Sequence, residues 1–169
     1  RVLVSDKIAK EGLAPLLESG QVEIVEKSVD DAKDLDTYDA LLVRSATKVT
    51  DAAMEKMAGL KIIGRAGVGV DNIDVPAATR RGLVVVNAPD ANTIATAEHT
   101  FALMLAMVRK LCLANASIRR GEWDRSSFMG SELFGKTLGI IGFGRIGQEV
   151  AKRARAFEMN VLAYSRSIT

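Results

Sequence analysis

Residues 137–150 read Thr-Leu-Gly-Ile-Ile-Gly-Phe-Gly-Arg-Ile-Gly-Gln-Glu-Val, and the fold is organised around them. The apolar run at 138–141 predicts a strand, and a helical pattern follows the glycines. The spacing Gly142-x-Gly144-x-x-Gly147 is typical of a dinucleotide-binding turn. Gly142 permits a tight turn, Gly144 lets the backbone approach a pyrophosphate, and Gly147 lets the helix pack closely on the strand. The alternative is a turn with a purely structural role.

The setting of these glycines favours the binding interpretation. A second apolar run at 160–164 completes a strand–helix–strand unit over residues 137–164. In such a unit the helix directs its unpaired N–H groups and the positive end of its dipole towards a phosphate. The sequence therefore predicts a nucleotide site at this turn.

The composition is that of an ordinary globular chain. Its 169 residues are 48% apolar and 26% charged, with a net charge of +2. That charge is too small to indicate a nucleic-acid partner. The longest wholly apolar run, 101–108, is far shorter than the roughly 20 residues that span a bilayer, and no signal peptide is recognisable. We therefore expect a cytoplasmic protein without membrane contact.

The single cysteine also limits the possible chemistry. Cys112 has no partner for an internal disulfide, and one cysteine cannot build a cysteine-based metal cluster. We expect Cys112 to be a small buried apolar residue, and we predict no metal site.

The first half of the chain predicts an α/β fold. Short apolar runs alternate with helical segments, and these runs lie at 2–4, 22–25, 40–43, 60–64 and 83–86. This alternation predicts a flavodoxin-like, doubly wound parallel sheet over residues 1–89. Residues 90–169 are expected to form the first half of a Rossmann nucleotide-binding domain.

A long helix is predicted over residues 93–119, between the two sheets. Its middle, 101–108, is apolar on all sides, so several of its faces need to be covered. We interpret it as a helix at an interface between domains or between the subunits of a homodimer. The alternative is a simple core helix.

The chain resembles the D-2-hydroxyacid dehydrogenases. The matching segments occur in the family's order, and they are Val-Arg-Ser-Ala-Thr-Lys-Val-Thr at 43–50, Gly-Arg-Ala-Gly-Val-Gly-Val-Asp-Asn-Ile-Asp at 64–74, Asn-Ala-Pro at 87–89, Ala-Glu at 97–98, Gly-Glu-Trp at 121–123 and the glycine turn at 139–147. The resemblance implies an NAD- or NADP-dependent oxidoreductase that acts on a small 2-hydroxy or 2-oxo acid.

Within this family, the segments most resemble the enzymes that oxidise 3-phosphoglycerate to 3-phosphohydroxypyruvate in serine biosynthesis. One alternative is a glyoxylate or hydroxypyruvate reductase of the same family. Another is a non-catalytic nucleotide-binding or dimerisation module.

The resemblance also implies substrate-binding residues. Val68 and Gly69 match the loop whose backbone N–H groups bind the substrate carboxylate, and a glycine loop at a strand end can form such a nest of donors. Arg44 and Ser45 match the strand end that lines the substrate cleft, where a guanidinium suits a carboxylate or a phosphate. Asn92 matches a cleft-facing position, although it is also a candidate N-cap. The alternatives are a tight connection at the glycines and a solvated Arg44.

Further residues are implied for the cofactor. Arg145 and Ile146 match the residues that cover the pyrophosphate, and Thr96 matches the approach of the long helix to the nicotinamide. Ser165, followed by Arg166, stands where the family carries the acidic residue that binds the adenosine ribose of NAD. Both side chains can donate hydrogen bonds to a 2′-phosphate, so NADP is expected to be used at least as well as NAD. The alternative is a tolerated serine beside a solvated arginine.

No catalytic residue is assigned within the chain. The family's catalytic Arg, Glu and His belong to the second half of its nucleotide domain, beyond residue 169. Residues 1–169 alone are therefore expected to turn over no hydroxy acid. His99 and Glu98 lie within the long helix and do not match that catalytic set.

Overall fold

The computed structural model of the protein describes residues 1–166. The chain forms two compact units, Arg1–Ala91 and Asn92–Thr169, called the first and second unit below.

The first unit is a five-stranded parallel sheet flanked by short helices. Its elements are β1 (Val2–Val4), α1 (Lys10–Glu18), β2 (Ile24–Glu26), a 3-10 turn (Leu35–Thr37), β3 (Ala40–Val43), α2 (Asp51–Glu55), β4 (Ile62–Arg65), α3 (Val75–Arg80) and β5 (Val84–Asn87). The strand order is β2-β1-β3-β4-β5 and every pairing is parallel. This is the flavodoxin-like order, so the predicted fold class is confirmed.

The core of the first unit lies on the central strands. Leu3, Leu41 and Ile63 are completely buried, because each sits in the middle of a strand that has neighbours on both sides. Met54 and Ala77, from α2 and α3, belong to the same core. Since all five strands run in one direction, their carboxyl ends share one edge of the sheet, where open α/β sheets bind ligands.

Two helices of the first unit begin at side-chain caps. Thr50 Oγ1 accepts the N–H of Ala53 at 3.2 Å, and Asp74 Oδ1 accepts the N–H of Ala77 at 2.9 Å. Such caps satisfy helix N–H groups that have no partner within the helix. They set where α2 and α3 begin after the loops at the carboxyl edge.

The second unit consists of α4 (Thr93–Val108), α5 (Leu111–Arg119), β6 (Thr137–Ile141), α6 (Arg145–Ala156) and β7 (Asn160–Tyr164). Strands β6 and β7 pair in parallel. Helix α4 packs on α6, where the rings of Phe101 and Phe157 stack with their centroids 5.2 Å apart. Arg153 of α6 binds Glu149 at 2.5 Å and lies 3.7 Å from Glu98 of α4. These contacts hold the helix that follows the glycine turn.

The prediction of a single helix over 93–119 is wrong, because this segment forms two helices, α4 and α5, which meet at a bend of 63°. Lys110 adopts the left-handed conformation at the break, with φ 53°. A distant segment ends α4 there: the N–H of Ser131 donates to the carbonyl of Val108 at 2.9 Å, and Gly130 packs so tightly that a Cβ would collide with that same oxygen. Apolar periodicity could not reveal this contact, because Gly130 and Ser131 lie more than 20 residues beyond Val108 in the sequence.

The predicted burial of Cys112 is also wrong, since this residue is exposed on α5. Its neighbours Leu111 and Leu113 are more than half exposed, as are Leu103 and Met107 of α4. The second unit therefore leaves several apolar side chains of these two helices exposed. Among residues 1–166 no single helix meets the length and composition needed to cross a membrane, and α4 and α5 do so only when counted together across their bend.

Candidate functional site

The glycine turn joins β6 to α6 through two close backbone contacts. Gly142 has φ 97°, in the left-handed region that favours glycine. Its N–H donates to the carbonyl of Tyr164 at the end of β7, at 2.7 Å. Gly147, one turn into α6, packs so closely that a Cβ would collide with the carbonyl oxygen of Gly142. The helix therefore starts directly against the strand ends.

The side of the turn that faces away from these contacts is open. A Cβ built on Gly144 would meet no heavy atom within 4 Å. Gly144 is the N-cap of α6 and has no side chain with which to cap this helix end. The start of a 12-residue helix thus adjoins open space, which suits an anionic group with oxygen acceptors.

The other predicted cofactor residues lie on three elements of the second unit. Arg145 is exposed and Ile146 half-buried in the first turn of α6. Ser165 and Arg166 follow β7 directly, and β7 ends opposite β6 through the pair Ile141–Tyr164. They therefore leave the sheet at the same edge as the glycine turn. Thr96 is half-buried on α4, where its carbonyl accepts the hydroxyl of Thr100 at 2.8 Å.

In the first unit, four of the predicted substrate residues share the carboxyl edge of the sheet. Arg44 and Ser45 follow β3, while Val68 and Gly69 lie in the loop after β4. These strands are neighbours, with Val43 opposite Arg65. The exposed Arg44 side chain makes a long 3.4 Å contact with the carbonyl of Lys7.

Asn92 belongs to the second unit, directly before α4. Its carbonyl accepts the N–H of Thr96 at 2.8 Å, while its exposed side chain makes no capping hydrogen bond in the described structure. The N-cap alternative therefore applies only to its backbone.

Arg65 lies beneath the loop that carries Val68 and Gly69, and the sequence does not predict it as a site residue. Its side chain is only 10% exposed, and its guanidinium binds the carboxylate of Asp71 at 3.0 Å. A Cβ on Gly69 would approach both groups to 2.7 Å, so any larger residue there would displace the ends of these two side chains. The Nε of Arg65 is buried and has no hydrogen-bond partner in the described structure. The loop therefore rests on a largely buried guanidinium that is paired with Asp71 and still has one donor, Nε, unpaired among the described residues.

Three more polar residues of the first unit brace these loops. Asn87 donates from Nδ2 to the carbonyl of Val68 at 2.6 Å. Asn72 donates to the carbonyls of Arg44 and Thr47, and Asp6 accepts hydrogen bonds from the same two residues. None of the three is predicted from the sequence as a site residue. The available signal was their position, because each one lies at or just beyond a strand or loop end at the carboxyl edge.

The environment of Asp6 favours its ionised form. Partial burial by itself would raise the pKa of this carboxyl. The N–H of Arg44 and the two donors of Thr47 outweigh that effect, so the pKa lies below the ordinary value of 3.8. Asp6 is therefore a charged acceptor at neutral pH.

A cavity of about 930 Å³ adjoins the same edge of the sheet but does not coincide with the predicted substrate residues. Its lining includes Asp6 and Thr47 from the loops after β1 and β3, together with Lys33, Lys48 and Lys56. Arg44, Val68 and Gly69 are not among its lining residues. Volume alone would therefore select a different place from the one that the backbone donors and Arg44 indicate. The loop donors and Arg44 suit an anion, whereas the crevice is lined by polar side chains of both charges.

Residues 2–167 match the family model described as "D-isomer specific 2-hydroxyacid dehydrogenase, catalytic domain". Among curated proteins, the D-3-phosphoglycerate dehydrogenase of Bacillus subtilis is 59% identical over 170 residues and that of Methanocaldococcus jannaschii is 54% identical over 169. These alignments cover 100% and 97% of this chain but only 32% of each relative. The chain thus spans about a third of the length of the curated relatives it matches.

Solved structures agree with this match. A D-lactate dehydrogenase from Aquifex aeolicus, complexed with NAD and lactic acid, is 29% identical with a TM-score of 0.87, and the match covers 100% of this chain and 52% of that one. An acyclic imino acid reductase, Bsp5, complexed with NADPH and D-Arg, is 30% identical with a TM-score of 0.84, covering 100% and 57%.

The match begins at β1 and continues past the glycine turn to the end of β7, so it includes both the braced loops of the first unit and the glycine turn of the second. The chain therefore belongs to the D-isomer specific 2-hydroxyacid dehydrogenase family.

Proposed function

We propose that the full-length protein oxidises 3-phosphoglycerate to 3-phosphohydroxypyruvate with a nicotinamide cofactor. The observation that carries the dehydrogenase assignment is the glycine turn, where the open side of Gly144 and the start of α6 adjoin a space suited to a pyrophosphate. The substrate is supported by two relatives of more than 50% identity that are named D-3-phosphoglycerate dehydrogenase.

In the first unit, the loop residues would bind the acid. The N–H groups of Val68 and Gly69 lie on a loop that crosses the Arg65–Asp71 ion pair, and these two donors would bind the carboxylate. Arg44 and Ser45, at the end of the neighbouring strand, would bind the second anionic group of the substrate. We assign Asn92 a role at the same ligand from its match to the family pattern.

In the second unit, the turn from Gly142 to Gly147 would hold the pyrophosphate, with Arg145 and Ile146 covering it. The bound cofactor supplies the chemistry by accepting the hydride from C2 of the substrate. Thr96 would lie near the nicotinamide. Ser165 and Arg166 would donate hydrogen bonds to a 2′-phosphate, so we propose that NADP is used at least as well as NAD. The proton-transfer residues would come from outside residues 1–169.

The experiment is a substrate comparison with the full-length protein. Reduced cofactor should form from 3-phosphoglycerate with NAD⁺ or NADP⁺, and kcat/KM for the reverse reaction should be larger with 3-phosphohydroxypyruvate than with glyoxylate. A preference for glyoxylate or hydroxypyruvate would favour a reductase of the same family. Cofactor binding without any turnover would favour the non-catalytic module. The fragment of residues 1–169 should show no turnover.

We further propose a homodimer in the cytoplasm, with α4 and α5 at the subunit interface. Leu103, Met107, Leu111, Leu113 and Ile118 are each more than half exposed on these helices. Covering such a set against a second copy would remove apolar surface from water. Sedimentation of the full-length protein should show a dimer, and Leu103→Lys with Met107→Lys should weaken it. A parent monomer at high micromolar concentration would contradict the assignment.

A further inference from the structure

The segment 44–47, called the arginine loop, is held from two sides at the same two residues. On one side, Asp6 Oδ2 accepts the N–H of Arg44 at 2.5 Å and the N–H of Thr47 at 3.2 Å. On the other side, Asn72 Nδ2 donates to the carbonyl of Arg44 at 2.7 Å and to the carbonyl of Thr47 at 2.6 Å. Both backbone groups of both residues are thus bonded by two side chains that are distant in sequence.

Asp6 and Asn72 together form a clamp on the arginine loop, and the two side chains are not interchangeable. Asp6 faces N–H groups and also accepts the hydroxyl of Thr47 at 2.8 Å, so it needs acceptor oxygens. Asn72 faces two carbonyls, so it needs the two hydrogens of an amide nitrogen, and a carboxylate there would be repelled. Its own Oδ1 is buried with no hydrogen-bond partner in the described structure. An unpaired buried oxygen is destabilising. Asn72 thus makes both hydrogen bonds that hold the loop, while its own oxygen stays without a hydrogen bond.

The clamp also joins the two loops of the proposed substrate site. Asn72 closes the glycine-rich loop that carries Val68 and Gly69, and its carbonyl accepts the N–H of Val49 at 2.8 Å. In the opposite loop, Arg44 is the first clamped residue and directly follows β3. The loop that carries the backbone donors and the backbone of Arg44 are therefore joined by hydrogen bonds.

We infer that Asp6 and Asn72 are positioning residues that fix the arginine loop so that Arg44 is oriented for the substrate before it binds. The inference rests on the proposed function, because it assigns Arg44 to the substrate. Binding orders the arginine side chain in either case, but a loop whose backbone is already fixed has no backbone freedom left to lose. Releasing the loop should therefore weaken substrate binding while leaving the cofactor site of the second unit unchanged.

The first experiment compares Asn72→Ala and Asp6→Asn with the parent full-length protein. Asn72→Ala removes both donors. Asp6→Asn keeps the shape but leaves one acceptor oxygen for three donors, so it keeps the test available if Asn72→Ala folds poorly. KM for 3-phosphoglycerate should rise about tenfold in Asn72→Ala, the factor for one misplaced charge-assisted hydrogen bond, and less in Asp6→Asn. Affinity for reduced cofactor should stay within about twofold of the parent value.

The matched control is Asp74→Ala. This substitution removes the hydrogen bond that Asp74 accepts from the N–H of Ala77 in the same unit. The Asp74 side chain makes no hydrogen bond to the arginine loop in the described structure. Its KM should equal that of the parent even though its melting temperature falls. If folded Asn72→Ala and Asp6→Asn also keep the parent KM, the clamp is only structural and the inference is wrong.

A second experiment shows whether the effect passes through Arg44. In an Arg44→Ala background, adding Asn72→Ala should raise KM by less than about twofold, since the group that the loop orients is already absent. An undiminished tenfold rise would place the effect in the glycine-rich loop and would contradict our assignment. A parent protein with no turnover of any 2-hydroxy acid would instead remove the proposed function. In that case the clamp is tested by whether Asn72→Ala weakens binding of 3-phosphoglycerate in calorimetry, and unchanged binding overturns it.

Discussion

The two units build the loops of their proposed ligand sites in different ways. In the first unit, side chains brace the loops: Asp6 and Asn72 hold the arginine loop, and Asn87 holds the carbonyl of Val68. In the second unit, the N–H of Gly142 and the close approach of Gly147 shape the turn, and one side chain, Gln148, adds a 3.2 Å hydrogen bond to the carbonyl of Phe143. The first design can be altered one side chain at a time, while the second depends mainly on the absence of side chains at its glycines.

The difference has a chemical reason. A pyrophosphate is recognised by helix N–H groups that are the same in any sequence, so the turn needs only backbone geometry. A small acid must instead be distinguished by charge and shape, which requires a placed guanidinium and fixed donors. The following predictions test this contrast, from the largest expected effect to the smallest.

The largest effects should come from the glycine turn. Gly144→Ala adds a Cβ where no atom lies within 4 Å, so the protein should fold normally while the methyl group occupies the approach of the pyrophosphate. We expect reduced-cofactor affinity to fall about 100-fold, the factor for roughly 3 kcal/mol, as measured by fluorescence titration. Gly147→Ala should lose affinity and also about 1–3 kcal/mol of unfolding free energy, because its Cβ collides with the carbonyl of Gly142.

Gly139→Ala is the matched control for both variants. It lies in β6, three residues before the turn, and its added Cβ would also meet nothing within 4 Å. Cofactor affinity should remain at the parent value. Parent-like affinity in Gly144→Ala would show that no pyrophosphate approaches this backbone.

The second prediction concerns the part of the second unit where side chains should decide between NADP and NAD. Arg166→Ala removes the guanidinium after β7, and we expect affinity for NADPH to fall about tenfold to 100-fold while affinity for NADH changes little. Ser165→Asp should shift preference to NADH, because a carboxylate repels a 2′-phosphate and accepts from a ribose hydroxyl. A parent protein that already prefers NADH tenfold would contradict this prediction.

The third prediction tests the bracing in the first unit outside the clamp. Asn87→Ala removes the 2.6 Å hydrogen bond to the carbonyl of Val68. The loop amides should then be less well fixed, and KM for the acid should rise about fivefold, the factor for roughly 1 kcal/mol. Cofactor affinity in the same preparations is the internal control. Equal losses for both ligands would indicate general unfolding rather than a local effect.

The smallest effect should be the pH dependence contributed by Asp6. Its pKa is lowered in the folded protein, so its contribution to stability is complete above about pH 3.8 and is lost as the pH falls through the lowered pKa. Asp6→Asn should be about 1 kcal/mol less stable than the parent at pH 6, and the gap should narrow by pH 3. Urea unfolding at both pH values measures it. Asn72→Ala, which carries no titratable group at this position, should show a constant gap.

The sequence by itself determined the fold class and the glycine turn. Alternating apolar runs predict a parallel doubly wound sheet because both of its faces are buried, and strands at 40–43 and 160–164 lie within one residue of the prediction. The helix caps at Thr50 and Asp74 are local features too, since each contacts an N–H group only three residues away. The turn from Gly142 to Gly147 is similarly local, so its pattern is complete within six residues.

Only the tertiary structure decided the features that join distant segments. The bend after Val108 depends on Ser131, the clamp on the arginine loop depends on Asp6 and Asn72, and the Arg65 guanidinium is placed by folding under Gly69. Asp6 and Asn72 contact residues 25–41 positions away along the chain. Hydrogen-bond partners at such separations leave no periodic pattern in the sequence. They meet only because strand pairing brings the carboxyl ends of β1, β3 and β4 to one edge of the sheet.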